Sequence, residues 1–513
     1  AITHYETVSY QFSDNKNTAD AGYAALLSYD QLIDQLTSDK TAPLARSSKP
    51  ATATGPLQSL QLQKIDSQLR FSKQFAEDSR AVAVLSQAAE SLLAISDYPR
   101  AISAAERLTL WPAPLADNIV LDAWLVIGEA SYNGADYRYA ESAYQQAQQR
   151  LTSRDSRAST INERIAASIY KQGELALADG NRQLASEQYL RVLTTAPQSA
   201  VRLNAQYDAA TQLLALKQWQ PAIELLKDFR QRFATHPLAN GVAEKLLSAY
   251  QAQQQWHKAA DEVMRLFAKQ AEPIKQAELL YYAAKLYQRS GDDAKAIEHY
   301  RRYAHQYPTP LSTHIEAMYQ LSELYLAANE NKKRRFWLKK IIAVDTNAGA
   351  GRTERSRYLA AFSSAVFADD AYQSFSTIAL SLPLKKSMKK KKSAMQRVVQ
   401  RYQQLNSYEL QQFSTLAAFR LAEVYAQLSR DLINSERPAN LDELAMEQYE
   451  VLLEEQAFPF EEKSIELHET NSQRSWQGIY NDSVKQSFQS LELLLPARYR
   501  KPEKIIDRQE VIY

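Results

Sequence analysis

The chain has 513 residues with 11 glycines, 17 prolines and no cysteine, and its formal charge is +2. Without cysteine there are no disulfides, thiolate metal sites or cysteine nucleophiles, and the near-neutral balance gives no global pull toward nucleic acid or membrane. Abundant Ala, Leu, Gln, Glu, Lys and Arg is helix-former composition, and no run of ~18 apolar residues is available to span a bilayer. The lack of cysteine fits an oxidising compartment such as a periplasm and is equally compatible with a cytosol. The chain opens at Ala1 with neither methionine nor a charged-then-apolar leader. Because Ile2–Asn17 has no capping-helix pattern, the expectation is a piece cut from a longer chain.

In chain order, residues 1–76 are expected to form an N-terminal helical segment. Ala21–Leu36 has a helical stripe, Thr41–Gly55 is a Ser, Thr, Ala and Pro-rich linker, and Leu57–Glu77 is helical again. Repeats are predicted from 77 to 345. The clearest unit is 276–308, where Leu280, Ala283, Ala284 and Tyr287 share one face of a first helix. Ser290–Asp293 is the turn, and Ala296, Tyr300 and Tyr303 share a face of a second helix that ends before Pro308. Six further hairpins align on the small residue near the start of the second helix. The register runs Ala101, Ala140, Ala185, Ala222, Ala259, Ala296 and then Arg334, at intervals of 39, 45, 37, 37, 37 and 38 residues. First-helix signatures recur at Trp124–Gly128, Ile169 with Gly173, and Ala209, Ala210 and Leu213. Aromatic residues Tyr98, Tyr137, Trp219 and Trp256 stand at four turns and are expected to be buried pins. One hairpin cannot hide its own apolar face, so neighbours must stack.

Residues 346–513 are expected to be further helices and a capping tail. The reading places a helix-turn-helix at Tyr358–Leu382 with Asp369 and Asp370 in its turn, and a strongly basic helix at Lys385–Leu405. Helices follow at Tyr408–Asn434 and Leu441–Gln456. Phe458-Pro-Phe then turns the chain into Glu461–Gly478, Asp482–Leu495 is the last helix, and the tail is extended.

Two groups of residues are candidate sites. The fifth position of the first helix points into the concave groove of a stacked-hairpin array. It is Tyr170, Tyr207, Tyr281 and Tyr319 in four of five consecutive units, with Glu244 interrupting. Such a row suits a peptide or helix held in a groove, although tyrosine is also simply common at this position in such repeats. The second group is a charge segregation. Residues 331–401 carry 17 Lys and Arg against 4 Asp and Glu, and 402–470 carry 4 against 14. The basic patch is Lys332, Lys333, Arg334 and Arg335 with Lys385, Lys386, Lys389, Lys390, Lys391 and Lys392. It would meet anionic lipid or an acidic protein face, or the two halves would pair within the molecule. Nucleic acid is not expected, since no groove-reading motif accompanies the lysines. The seven histidines show no ligand spacing; His468 lacks the second histidine of His-Glu-x-x-His and reads as a surface or capping residue. With no phosphate loop and no Gly-x-Ser-x-Gly elbow, no catalytic residue, metal or cofactor is expected, and the chain reads as no enzyme.

The repeats at 77–345 resemble the tetratricopeptide family through the string Leu-x2-Ala-Ala-x2-Tyr, Ala-x3-Tyr and Pro of the 276–308 unit, repeated in register. The resemblance implies an all-α, right-handed superhelical solenoid, here with a C-terminal all-helical extension, that binds partners. The C-terminal segment Glu466-Leu-His-Glu-x-Asn471, Gly478-x-Tyr480, Val484-x-x-Ser487 and Leu494-Leu-Pro-Ala-Arg-Tyr499-x-Lys-Pro-Glu503 resembles the end of large periplasmic tetratricopeptide proteins of the adventurous gliding motility group. Those belong with proton-driven ExbB/ExbD or TolQ/TolR-type motors and TonB-like transducers. This resemblance implies a periplasmic scaffold in a cell-envelope complex with other envelope proteins as partners. An assembly factor for exopolysaccharide or outer-membrane export is the alternative.

Overall fold

The computed structural model describes residues 1–12, 17–38, 55–152 and 154–500. Those residues form α-helices, short 3-10 turns and loops, with no strand among them. The all-α expectation holds. The chain divides into two compact units, Ala1–Gln255 and Trp256–Tyr513, a division that falls within the repeat block.

The first unit contains α1 (Ile2–Gln11), α2 (Thr18–Ser38), α3 (Pro56–Gln74), α4 (Ala81–Ala94), α5 (Tyr98–Thr109), α6 (Asp117–Asn133), α7 (Tyr137–Gln148), α8 (Ala158–Ala178), α9 (Arg182–Thr195), α10 (Val201–Ala215), α11 (Trp219–Arg232) and α12 (Val242–Ala252). Consecutive helices pack on each other, and α4 also reaches α6 and α8 reaches α10. Contact between every second helix is what stacking of hairpins produces. α1 gives residues 2–11, where no capping-helix pattern is legible, a helix. Its order comes from tertiary partners: Arg70 stacks 3.8 Å over the Tyr10 ring and Ser67 donates to Glu6 at 2.8 Å. The predicted linker at 41–55 lies, but for Gly55, outside the described residues.

The turn inside each hairpin has one geometry, and it explains the register. The chain leaves the first helix through a residue with positive φ, successively Ser96, Ala135, Gly180, Lys217, Gln254, Gly291 and Asn329. Their spacing repeats the alanine register. The next amide donates five residues back, as from Asp97 to Leu92, Asp136 to Ser131, Asn181 to Ala176, Gln218 to Leu213 and Asp292 to Tyr287. This is the Schellman arrangement, which satisfies carbonyls the helix end would leave open. The same residue then caps the second helix: side chains of Asp97, Asp136, Asn181 and Asp292 accept the amide three residues on. In these four hairpins one short polar residue therefore ends one helix and starts the next. Four residues later stands the small residue, and Ala101, Ala140, Ala185, Ala222, Ala259 and Ala296 are all fully buried. Arg334 breaks that series and is half-buried near Glu323. The turn aromatics Tyr98, Tyr137, Trp219 and Trp256 are half-buried rather than buried, because each sits at the first position of its helix beside solvent.

Gly128 and Gly173 have a packing role. A Cβ on Gly128 would lie 2.7 Å from the Tyr144 ring, and one on Gly173 2.5 Å from the Tyr189 ring. Both tyrosines are almost wholly buried. Glycine on the first helix thus makes room for a ring on the second.

The second unit holds α13 (Trp256–Lys269), α14 (Pro273–Ser290), α15 (Asp293–Gln306), α16 (Leu311–Ala327), α17 (Asn331–Asn347), α18 (Glu354–Ser376), α19 (Leu384–Asn406), α20 (Gln411–Ile433), α21 (Glu443–Gln473), α22 (Asp482–Leu494) and α23 (Pro496–Tyr499). Three expectations fail here. Asp369 and Asp370 lie inside α18, not in a turn. No Gly or Pro interrupts 358–376, and the two carboxylates are held by Tyr402 (2.6 Å) and Arg335 (3.0 Å). Pro459 does not turn the chain; α21 runs through it for 31 residues. An interior proline costs about 3 kcal/mol, and long packing of α21 along α20 outweighs it, with Ala457 buried against Leu380 and Leu432. The tail after Pro496 begins with the short helix α23, and residues 501–513 lie outside the described ones.

Candidate functional site

Tyr170, Tyr207, Tyr281 and Tyr319 are all half-buried, and they differ in their surroundings. In the first unit Tyr170 donates to Asp208 at 2.7 Å and packs 5.2 Å from Tyr189. Burial pushes the Asp208 carboxyl above its usual range, and the Tyr170 bond partly offsets this. That hydroxyl is spent internally. Tyr207 lies 5.4 Å from Phe229 with the Lys245 ammonium 5.1 Å from its ring. In the second unit Tyr319 meets Phe362 edge-on at 5.6 Å, with Arg355 5.7 Å from its ring.

Tyr281 is the tyrosine that opens on a cleft. It packs against Tyr300 at 5.6 Å and Tyr303 at 5.3 Å, and Tyr303 continues to Tyr307 at 5.5 Å. Tyr281, Tyr303 and Tyr307 wall a cleft of about 560 Å³ between α14, α15 and α16, completed by Ile274, Ala277, Glu278 and Pro310. Ile274 at its mouth is 75% exposed. Burial pushes the Tyr281 phenol up to about 12, so it stays a neutral donor. Pro273 opens α14 and Pro310 is the N-cap of α16, and each lacks an amide that would otherwise seek a partner in the wall. The cleft is therefore mostly apolar, with a phenol and a carboxylate at its rim, a composition suited to holding side chains.

The basic patch divides differently from the expectation. Lys385, Lys386, Lys389, Lys390 and Lys392 are exposed and make no ion pair among the described residues; Lys392 lies 5.6 Å over the Phe460 ring. Lys391 corrects the prediction. It is fully buried and bonds the carbonyls of Phe375 (3.0 Å) and Ile378 (2.7 Å) and the Asp431 carboxylate (2.5 Å). Its reason is register: Lys391 shares the inward stripe of α19 with Ala394, Met395, Val398, Tyr402 and Leu405. At the other end Arg335 is held by Asp370, Lys333 by Glu330 and Arg334 more loosely by Glu323, while Lys332 has no ion pair among the described residues.

The C-terminal motif is a buried polar cluster. His468 is fully buried, not on the surface, so that expectation is corrected. Its Nδ1 is 3.2 Å from Ser487 Oγ, its Nε2 3.5 Å from Glu423, and Phe419 covers its ring at 5.8 Å. The His468 interaction holds the Glu423 carboxyl below the usual range despite burial. Asn471 donates to Ser487 Oγ at 2.9 Å and to the Thr415 carbonyl at 3.2 Å, tying α21 to α20 and α22. A serine, a histidine and a glutamate stand in series, yet Ser487 and His468 have no exposed surface for a substrate to reach. Arg498 and Tyr499 both bind Glu469, fixing α23 on α21.

The tetratricopeptide repeat family pattern matches residues 278–310, the unit that carries the Tyr281 cleft. No curated protein matches the chain. Among solved structures, one similar chain is the C-terminal part of a tetratricopeptide repeat-containing protein from Cytophaga hutchinsonii. It is 16% identical over 52% of this chain and 99% of that one, with a TM-score of 0.23. Another is Naa15/Naa10 bound to HypK, 11% identical over 81% of this chain and 64% of that one, TM-score 0.29. A Rap protein complexed with competence and sporulation factor is 13% identical over 76% of this chain and all of that one, TM-score 0.20. No helix among the described residues is long and apolar enough to cross a membrane.

Proposed function

We propose that this chain is a docking scaffold that holds partner proteins on its stacked hairpins, as a periplasmic component of a proton-driven, TonB- or Tol-like envelope machine. The observation that carries the scaffold reading is the open cleft at Tyr281. It exposes Ile274 and a phenol next to apolar wall, the combination that favours a protein segment over water. The second unit also leaves Lys385, Lys386, Lys389, Lys390 and Lys392 on α19 exposed and without an ion pair among the described residues, which suits acidic partners or an anionic surface. The envelope assignment draws its support from the C-terminal resemblance, whose residues His468, Asn471, Ser487, Arg498 and Tyr499 all have a defined structural task. Affinity capture from envelope fractions tests it. The wild-type chain is expected to recover motor or transducer proteins, and Ile274→Asp, a change at an exposed position, is expected to lose them. Recovery of none of these proteins, or equal recovery by the variant, would contradict the reading.

A further inference from the structure

A second cleft lies between α15, α16 and α17, away from the tyrosine row, with a volume of about 380 Å³. Its lining combines basic side chains with aromatic rings and includes no acidic residue. Arg301 and Lys332, both exposed, make no ion pair among the described residues. Lys333 has Glu330, and Arg301 opposes its charge across the cleft. The floor is aromatic. Phe336 is 48% exposed and meets buried Trp337 edge-on at 5.2 Å, while His305 faces Trp337 at 5.5 Å.

We infer that this cleft docks an acidic segment of a partner protein, seating one aromatic side chain against Phe336 and Trp337 while flanking carboxylates meet Arg301 and Lys332. Charge complementarity selects the occupant. Arg301 and Lys332 at the rim have no ion pair among the described residues, and a carboxylate beside each forms one. The ring surface selects its neighbour. Phe336 leaves half its area in water between charged side chains, and a second ring stacked there removes apolar area from both. A membrane surface would ask for the opposite shape, with apolar side chains standing out from the cations; here they line a hollow. This inference rests on the scaffold reading and assigns it a partner chemistry at a site separate from Tyr281.

The test uses fluorescence anisotropy on the full chain with a labelled Gly-Asp-Glu-Phe-Asp-Gly peptide. Two comparison peptides replace the acids by Asn and Gln, or the Phe by Ala. The acidic aromatic peptide is expected to bind, and both replacements to weaken it by about tenfold. Arg301→Glu with Lys332→Glu is expected to weaken binding by at least about tenfold, Phe336→Ala by about threefold to tenfold, and added salt to weaken it progressively. All three positions are exposed, and unchanged circular dichroism confirms the fold of each variant. Equal binding of the acidic and neutral peptides, or no effect of the charge reversal, overturns the proposal. So does charge-dependent binding of phosphatidylserine vesicles by a chain that ignores the peptide. Since Ile274→Asp leaves this cleft intact, partner capture that depends on Ile274 but not on Arg301 and Lys332 would sink this site and leave the scaffold standing.

Discussion

Replacing Ala135 or Lys217 by glycine should stabilise the protein, contrary to the effect of glycine inside a helix. Both residues hold positive φ, 64° and 60°, in the turn between paired helices. An L residue in that region suffers about 1–2 kcal/mol of Cβ crowding, whereas glycine loses about 0.4–1 kcal/mol more chain entropy on folding. The balance favours glycine by about 0.5–1 kcal/mol at each turn. Neither side chain is buried, so no packing is lost. The reverse change supplies the control: Gly180 has φ 79° and open space around an added Cβ, so Gly180→Ala isolates the backbone cost. It should destabilise by about 1 kcal/mol. Urea unfolding followed by far-UV circular dichroism gives the shifts. Hydrogen exchange at the amides of Asp136 and Gln218, which donate to Ser131 and Leu213, shows whether the change is local. If Ala135→Gly destabilises while Gly180→Ala is neutral, the turn does not enforce its left-handed residue and the account of the register fails.

Gly173→Ala should cost about 1–3 kcal/mol in the same assay, because a Cβ would lie 2.5 Å from the buried Tyr189 ring; Gly180→Ala should cost less. Lys391→Ala should destabilise by about 3–5 kcal/mol by stranding the Asp431 carboxylate, while Lys390→Ala, exposed and unpaired, should change stability by under about 0.5 kcal/mol. Burial lowers the affinity of His299 and His314 for a proton. Their folded pKa lies below the unfolded value, so their contribution is present above about pH 6.5 and is lost as pH falls from there. Thermal melts from pH 8 to 5 should therefore show a decline that His299→Gln with His314→Gln flattens; an identical slope in the variant would contradict it.

The register of the hairpins was legible because the buried alanine and the polar turn residue recur together in the chain. Glycine marks only two of the seven left-handed turns, so the turn geometry itself was hidden at Ser96, Ala135, Lys217, Gln254 and Asn329. The aspartates and asparagine that cap four of the second helices were the better signal. A lysine run announces charge and conceals facing, so Lys391 does not stand out within it. The inward stripe through Ala394, Val398 and Tyr402 carried the information. His468 is hidden for another reason. Its partners Glu423 and Ser487 belong to other helices, so no local pattern reveals that it is buried. Pro459 shows tertiary packing overriding a local breaker. The Tyr281 cleft is half legible: the repeat position marks the tyrosine and Ile274 lies two turns back on the same helix, while Pro310 joins them only through the packing of α14, α15 and α16.

Site-specific photocrosslinking at the mouth of that cleft tests most directly whether the stacked hairpins hold a partner. A benzophenone side chain at Ile274, 75% exposed, is compared in living cells with one at Leu110, 80% exposed in the other unit. A discrete adduct with an envelope protein at Ile274, absent at Leu110, is the predicted result. Irradiation that yields no adduct at Ile274, or the same diffuse products at both positions, would contradict the account.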